Sequence, residues 1–422
     1  MLRQRRCLTF AAFSVAFLLA AISPCDAAAA RAITLDEAIA RALKLAPSLD
    51  SAAAQSDLGQ ARIEEARAPL LPSVSGNGEY YQPSGYDKTV SNGGLTQAQL
   101  ALTYTAFDDG RRNALLRAAR YAAQAATLGV RAAQAQVVFD TSIAYFELLR
   151  RDEDHVELTT ILSRLAKYVH IVEELQESGH ANANDVLTLQ VARDTAELAL
   201  SAGRQAQAES STVLGSMIGF GDTSLVASEK VGLPPPPTGD FSQNPAYQAA
   251  IRQVEAAKLT VDAAQAERFP NLNLTLTTGW QGINPPKTFG HHFGASYDGA
   301  VTVPIFQGGL VHSHIDEALA GERAALAQQR QIELQVKRDL AGVNVRYRGA
   351  LDQLGILRRS QQSARDAFAL EWTRFLGGGS ATIVEVTNAY QQAENLRVAS
   401  FDQEFNARQA AAQGRLILGL LQ

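Results

Sequence analysis

Two tracts without proline decide what this chain can become. No proline occurs between Pro83 and Pro234, and none follows Pro304. A proline inside a helix costs about 3 kcal/mol, so these tracts are free to be helices far longer than a globular domain uses. They belong to a duplicated layout. Pro47 and Pro72 reappear as Pro245 and Pro270, with the same separation in each pair. The run Leu102-Thr103-Tyr104-Thr105-Ala106-Phe107-Asp108-Asp109-Gly110 returns as Val301-Thr302-Val303-Pro304-Ile305-Phe306-Gln307-Gly308-Gly309, Gly179 returns as Gly379, and Gly219 as Gly419.

Each copy then reads the same way. Residues 1–28 form a leader. The first repeat, 31–219, opens with a helix from Thr34 to Ala68, where Thr34 and Glu37 make a capping-box pattern. A strand pair (73–107), a long helix (110–178) and a return helix (185–218) follow. A proline-rich connector, 220–243, contains Pro234 to Pro237, which must be extended. The second repeat, 244–422, has a helix (244–268), a strand pair (271–306), a long helix (309–376) and a return helix (382–418).

The strand segments alternate with period two. Leu272, Leu274, Leu276 and Trp280 point one way, and Asn271, Asn273, Thr275 and Thr277 the other. Val303 and Ile305 continue the same alternation from Tyr297 and Val301. Strands of about ten residues suit a tilted crossing of the hydrocarbon layer, though they also suit a soluble hairpin. Tyr80, Tyr81, Tyr86, Tyr104, Trp280 and Phe306 near the strand ends fit interfacial girdles. The long helices discriminate: nearly 70 residues at 1.5 Å each make a rod of about 100 Å. Leu158, Leu162, Leu165, Val169, Val172 and Leu175 recur at four-three spacing, the spacing of a coiled coil. Leu357, Ala364, Phe368, Trp372 and Phe375 do so less regularly.

Arg3, Arg5 and Arg6, the apolar run Cys7 to Ile22 and the small residues Ala27 to Ala30 read as an export signal cleaved after about Ala28. Lipidation of Cys25 is the alternative. Both cysteines lie in this leader, so cleavage leaves no thiol for disulfides, zinc-thiolate sites or nucleophiles. A formal charge of −5 with scattered Lys and Arg gives no reason to expect nucleic acid.

The fold class expected is mainly α with a small β part: duplicated coiled-coil hairpins plus four membrane-length antiparallel strands per chain. Only helices and closed barrels satisfy the backbone in lipid. Four strands do not close a barrel, because about eight is the practical minimum, so if the strands lie in a membrane the chain must pool them with copies of itself.

The layout resembles the TolC-like outer-membrane efflux family over about Ile33 to Leu420. The matching residues are Thr34-Leu35-Asp36-Glu37-Ala38, Val303 to Gly309, and Gly379-Ser380-Ala381-Thr382-Ile383-Val384-Glu385-Val386. The resemblance implies a homotrimer with a twelve-stranded barrel in outer-membrane lipid and an α-helical tunnel projecting into the periplasm. It implies a periplasmic adaptor and an inner-membrane pump as partners, and passive export of drugs or other small molecules. Type I protein secretion and metal efflux are alternative roles for the same duct. A periplasmic coiled-coil adaptor is a more distant alternative.

By the same resemblance, Ser178, Gly179, His180 and Ala181, with Gly378, Gly379, Ser380 and Ala381, form the adaptor-docking tips. The plainer reading is a C-cap glycine followed by a polar N-cap such as Asn184. Asp366 and Glu371 lie where relatives carry acids at a closed entrance, and the plainer reading of both is solvated charges on a helix. No catalytic, cofactor or metal site is expected. His312 and His314 are two apart on a helix and face apart. His291 and His292 fall in a loop. Gly377 to Ser380 lacks the lysine of a phosphate loop. Asp108 and Asp109 read as N-cap and dipole partners of the long helix.

Overall fold

A computed structural model describes residues 31–85, 94–221, 224–229, 231–284, 292–377 and 380–421. The leader, Tyr86, His291, Gly378 and Gly379 lie outside the described residues. In chain order the elements are β1 (Arg31–Ile33), α1 (Leu35–Leu45), α2 (Pro47–Arg67), β2 (Ser73–Tyr81), β3 (Gly94–Phe107), α3 (Arg111–Glu177) and α4 (Ala183–Ile218). Then come β4 (Leu225–Ala227), α5 (Pro245–Ala266), β5 (Asn271–Asn284), β6 (His292–Thr302), α6 (Leu310–Leu376) and α7 (Ile383–Leu418). Two short 3-10 turns lie at Ala68–Leu70 and Phe241–Gln243.

The first helical segment is two helices rather than one. Ala46 is extended (ψ 114) because the residue before a proline avoids the helical region, and Pro47 starts α2 at its first turn. Thr34 caps α1, accepting from the Glu37 backbone N–H at 3.2 Å, but the Glu37 carboxylate turns to Arg31 (3.1 Å) and Arg41 (3.5 Å) instead of closing the box. The guanidiniums of those two arginines lie 4.1 and 4.0 Å from the Phe220 ring centre.

Helices α3 and α6 each run 67 residues without a break, a length of about 100 Å. The lateral order of the elements is constant along that length. The sheet runs β2-β3-β5-β6, all antiparallel. Beneath it α2, α3, α5 and α6 pack in the same order, and lower down α4, α3, α7 and α6 do so. One four-wide layer therefore runs from the strands to the hairpin tips, with the long helices continuous through it.

Small residues allow the helices to approach closely. A Cβ on Gly59 of α2 would lie 3.1 Å from the Ala123 Cα of α3. Val343, Tyr347, Ala350, Ala407, Ala410 and Ala411 seal α6 to α7. Midway down, the short parallel pair β1–β4 closes a core of Ile33, Tyr145, Leu148, Leu214, Ile218 and Leu225, all fully buried. The Tyr145 hydroxyl reaches the carbonyls of Ile33 and Glu229, each at 3.3 Å. Below it, the Leu165, Val169 and Val172 stripe of α3 is buried against α4 and α7.

Strand β6 stops at Thr302, short of the expected Phe306. Pro304 has no N–H to give a ladder, and Ile305 and Phe306 stand 93% and 88% exposed beyond it. His292 is in β6 opposite Gln281, not in a loop.

Candidate functional site

Cross-strand register sorts the sheet into two unlike faces. Val74, Tyr80, Leu100, Leu102, Tyr104, Leu272, Leu274, Leu276, Trp280, Phe293, Tyr297 and Val301 share one face across all four strands. Most of them are exposed, Tyr297 at 84%. Ser75, Asn77, Gln97, Gln99, Thr103, Asn273, Thr275, Thr277 and Ser296 share the other. An exposed apolar band backed by a polar face is the pattern of a strand layer with lipid on one side and water on the other. Trp280 and Phe293 meet edge to face at 5.4 Å near the loop end, and Tyr80 lies on the same face. Tyr81, expected in the same girdle, points to the polar face, because one residue of offset reverses the side. No described helix is long and apolar enough to cross a membrane.

At the strand-to-helix junction the polar face opens into a cleft of about 590 Å³ lined by Thr105, Asn271, Asn273, Arg111, Glu267 and His314. Glu267, at the end of α5, binds Arg111 of α3 and His314 of α6, both at 2.8 Å. It therefore ties three neighbouring helices together. His312 faces away and approaches Asp316 at 3.6 Å. Asp108 takes the Arg112 backbone N–H at 3.0 Å and the Arg112 side chain at 2.8 Å. It satisfies the helix start, although the N-cap position belongs to Gly110 (φ 79). Asp109 holds a positive φ of 52°.

The tips are tight turns. In the first, Ser178 ends α3, Gly179 adopts φ 77°, and the His180 and Ala181 N–H groups both return to the Leu175 carbonyl. A Cβ on Gly179 would meet nothing within 4 Å, so glycine is there for its backbone and leaves open space beside it. The N-cap of α4 is Asn182, not Asn184, and Asp185 returns the bond in a reciprocal box. In the second tip Thr382 and Glu385 form the same box, Ala381 is buried, and Arg374 donates to the Ser380 carbonyl. The bonds from the Thr382 N–H and hydroxyl hold the Glu385 carboxyl below its ordinary value. Gly378 and Gly379 fall outside the described residues.

The two acids singled out on α6 are not brought together. Glu371 is paired with Arg374 at 3.0 Å, whereas Asp366 accepts the Gln362 amide at 2.9 Å. Sequence reading missed a charged seam between α3 and α7. Its upper part gathers Glu147, Arg150, Arg151 and Asp154 with Asp402. Its lower part crosses Arg164 to Glu394 at 3.0 Å and Arg397 to Glu157 at 3.6 Å. Burial, reinforced by the neighbouring Glu157 charge, raises the Glu394 carboxyl. Burial likewise raises Asp154 to about 6, overriding the attraction of Arg150. The signal lay in the spacing: Arg150, Asp154, Glu157, Ile161 and Arg164 follow a four-three rhythm beside the leucine stripe.

A sheet with one lipid-facing side, mounted on long helical rods that end in paired turns, defines a subunit of an outer-membrane export channel. The comparisons with known proteins agree. The sequence profile described as Outer membrane efflux protein matches residues 38–220 and 241–420, and the chain belongs to that family. TolC of Escherichia coli strain K12 is 24% identical over 403 residues, which cover 86% of this chain and 79% of that protein. The pyoverdine export outer membrane protein OpmQ of Pseudomonas aeruginosa is 25% identical over 389 residues, covering 86% of this chain and 81% of OpmQ. The crystal structure of the outer membrane protein VceC from Vibrio cholerae shares the fold, with a TM-score of 0.78 at 21% identity over 91% of this chain and 96% of that one.

Proposed function

We propose that three copies of this chain close into one duct and that the hairpin tips receive a periplasmic adaptor of an inner-membrane pump. The observation that carries closure by copies is the pair of open edges; the number three comes from the family resemblance. Strands β2 and β6 each have one unpaired side, and such an edge is not tolerated in lipid. Joining β6 of one copy to β2 of the next satisfies both. Three copies of the four-stranded sheet supply twelve strands, enough to close. The same step brings α6 against α2 and α4 of the neighbour. Both outer helices carry apolar residues that are exposed in the single chain: Leu334, Val345, Ile356 and Leu370 on α6, and Leu187, Val191 and Leu198 on α4.

The duct moves cargo and catalyses nothing; energy comes from the pump. Similarity to OpmQ, a pyoverdine export protein, supports a small-molecule cargo over protein secretion or metal efflux. Small residues at Ser178, Gly179, Ala181, Gly378, Gly379 and Ser380 let an adaptor helix approach the backbone, with His180 beside them. Asp366, which no base neutralises among the described residues, is the better of the two entrance acids; Glu371 is already matched by Arg374.

Envelope fractionation with light scattering tests the assembly. The expected result is an outer-membrane, detergent-extracted trimer that conducts in a planar bilayer. Recovery as a soluble periplasmic monomer would overturn it.

A further inference from the structure

We propose that the β6 edge docks on the β2 edge of a second copy in one fixed register, the register of the β3–β5 seam inside the chain. The inference rests on closure by copies and adds which residue meets which. The repeats align with an offset of 198 residues between β2 and β5 (Pro72 and Pro270) and 199 between β3 and β6 (Leu102 and Val301). Both hairpins obey these offsets. Ser73 faces Thr103 as Asn271 faces Thr302, and Val74 faces Leu102 as Leu272 faces Val301. The seam β3–β5 joins one repeat to the next within the chain, and β6 to a second β2 is the same step between copies.

In the internal seam Thr103 faces Thr275, Leu102 faces Leu276 and Leu100 faces Thr278. The offsets turn these pairs into Thr302 opposite Asn77 of the partner subunit, Val301 opposite Gly78 of the partner subunit, and Gly299 opposite Tyr80 of the partner subunit. Beyond the register shift, Phe107 faces Leu272, which sets Phe306 on Val74 of the partner subunit. Phe306 and Val74 are both exposed in the single chain.

Three glycines support this register independently. Gly76, Gly78 and Gly299 lie on the apolar face. Glycine weakens a strand interior and often marks a close approach, yet the chain itself does not require it there. A Cβ on Gly78 would meet nothing within 4 Å, and on Gly76 or Gly299 it would make ordinary contact, at 3.7 Å from Leu100 or 3.6 Å from Leu274. The transferred register gives each glycine a larger residue across the seam: Val303 beside Gly76, Val301 beside Gly78, and Tyr80 beside Gly299. A slip of two residues one way sets Gly299 against Gly78 and Tyr297 against Tyr80; the other way sets Val301 against Tyr80. A slip of one turns apolar residues to the polar side. Directly opposed pairs stabilise a sheet, so the complementary register wins. The helices follow suit: Ala135 and Phe146 of α3 are buried, while their α6 counterparts Leu334 and Val345 are exposed.

Cysteine cross-linking tests the register, since no described residue is a cysteine. Asn77→Cys with Thr302→Cys, oxidised in the extracted full-chain protein with copper phenanthroline, should give covalent trimers on a non-reducing gel, and neither single variant should. Ser75→Cys or Glu79→Cys with Thr302→Cys should link several-fold less, because diagonal neighbours lie about 7–8 Å apart, beyond the usual disulfide reach of about 6.8 Å. Gly299→Val should lower the temperature at which the trimer dissociates by several degrees, and adding Tyr80→Ala should restore part of it. Preferential linking of a shifted pair, or a trimer that links through none of the three, would overturn the register while leaving the duct intact. A loss in Gly299→Val without rescue would overturn the Tyr80 pairing. Recovery of the wild type as a monomer would defeat closure by copies, and this inference with it.

Discussion

Asp154 offers the sharpest test of how the two hairpins are joined. The residue is 7% exposed, and its carboxyl lies 3.9 Å from Arg150 and Arg151, too far for a hydrogen bond, with one buried oxygen that has no partner. Burial raises its pKa from 3.8 to about 6. Two units at about 1.4 kcal/mol each amount to roughly 3 kcal/mol. The packed seam binds the proton more tightly than the separated one. Its stabilisation is thus complete below pH 3.8 and is lost as the pH rises through about 6. At neutral pH the ionised group costs the seam that roughly 3 kcal/mol. Asp154→Asn keeps the shape and cannot ionise. The melting temperature of the detergent-solubilised protein, followed from pH 4 to 7.5, should fall by several degrees more for the wild type than for the variant. Hydrogen exchange should place the difference in α3 and α7 around residues 147–157 and 400–405. Parallel pH profiles would refute the reasoning; Glu147, held low by Arg150 and Arg151, shifts stability in the opposite sense but is common to both proteins and does not part their profiles.

Other substitutions probe other parts. Gly414→Ala would put a Cβ 2.1 Å from Pro237, so the proline run must lift off α7; a loss of about 1–3 kcal/mol should appear as a lower melting temperature. Tyr145→Phe removes the hydroxyl that reaches Ile33 and Glu229, and should cost about 1 kcal/mol in the same assay. Glu267→Gln releases both Arg111 and His314, and hydrogen exchange at the start of α3 and α6 should quicken while the hairpin tips stay protected. Gly179→Arg with Gly379→Arg should abolish export at normal trimer yield, and unimpaired drug susceptibility protection by that variant would remove the tips from the docking surface.

Much of the architecture was legible because proline and strict alternation act locally. The proline-free tracts became α3 and α6, and the period-two segments became β2, β3, β5 and β6. Errors fell where two local signals competed. Asn182 and Asn184 both suit an N-cap, and only the reciprocal bond from Asp185 chooses between them. Val303 and Ile305 keep the alternation, but Pro304 between them has no donor to give a ladder. The pair β1–β4 is three residues per strand, too short for periodicity to register. The charged seam escaped because its partners are more than 200 residues apart, and each charge alone resembles a solvated one. At the tips the turn geometry was readable; no local pattern there spells out a partner.

The unbroken course of α3 and α6 makes each subunit a lever. With about 100 Å of stiff shaft between the junction and the tip, a tilt of roughly 6° displaces the far end by about 10 Å. A small adjustment around Glu267 is thereby amplified at the hairpin tips, while the strands above barely shift.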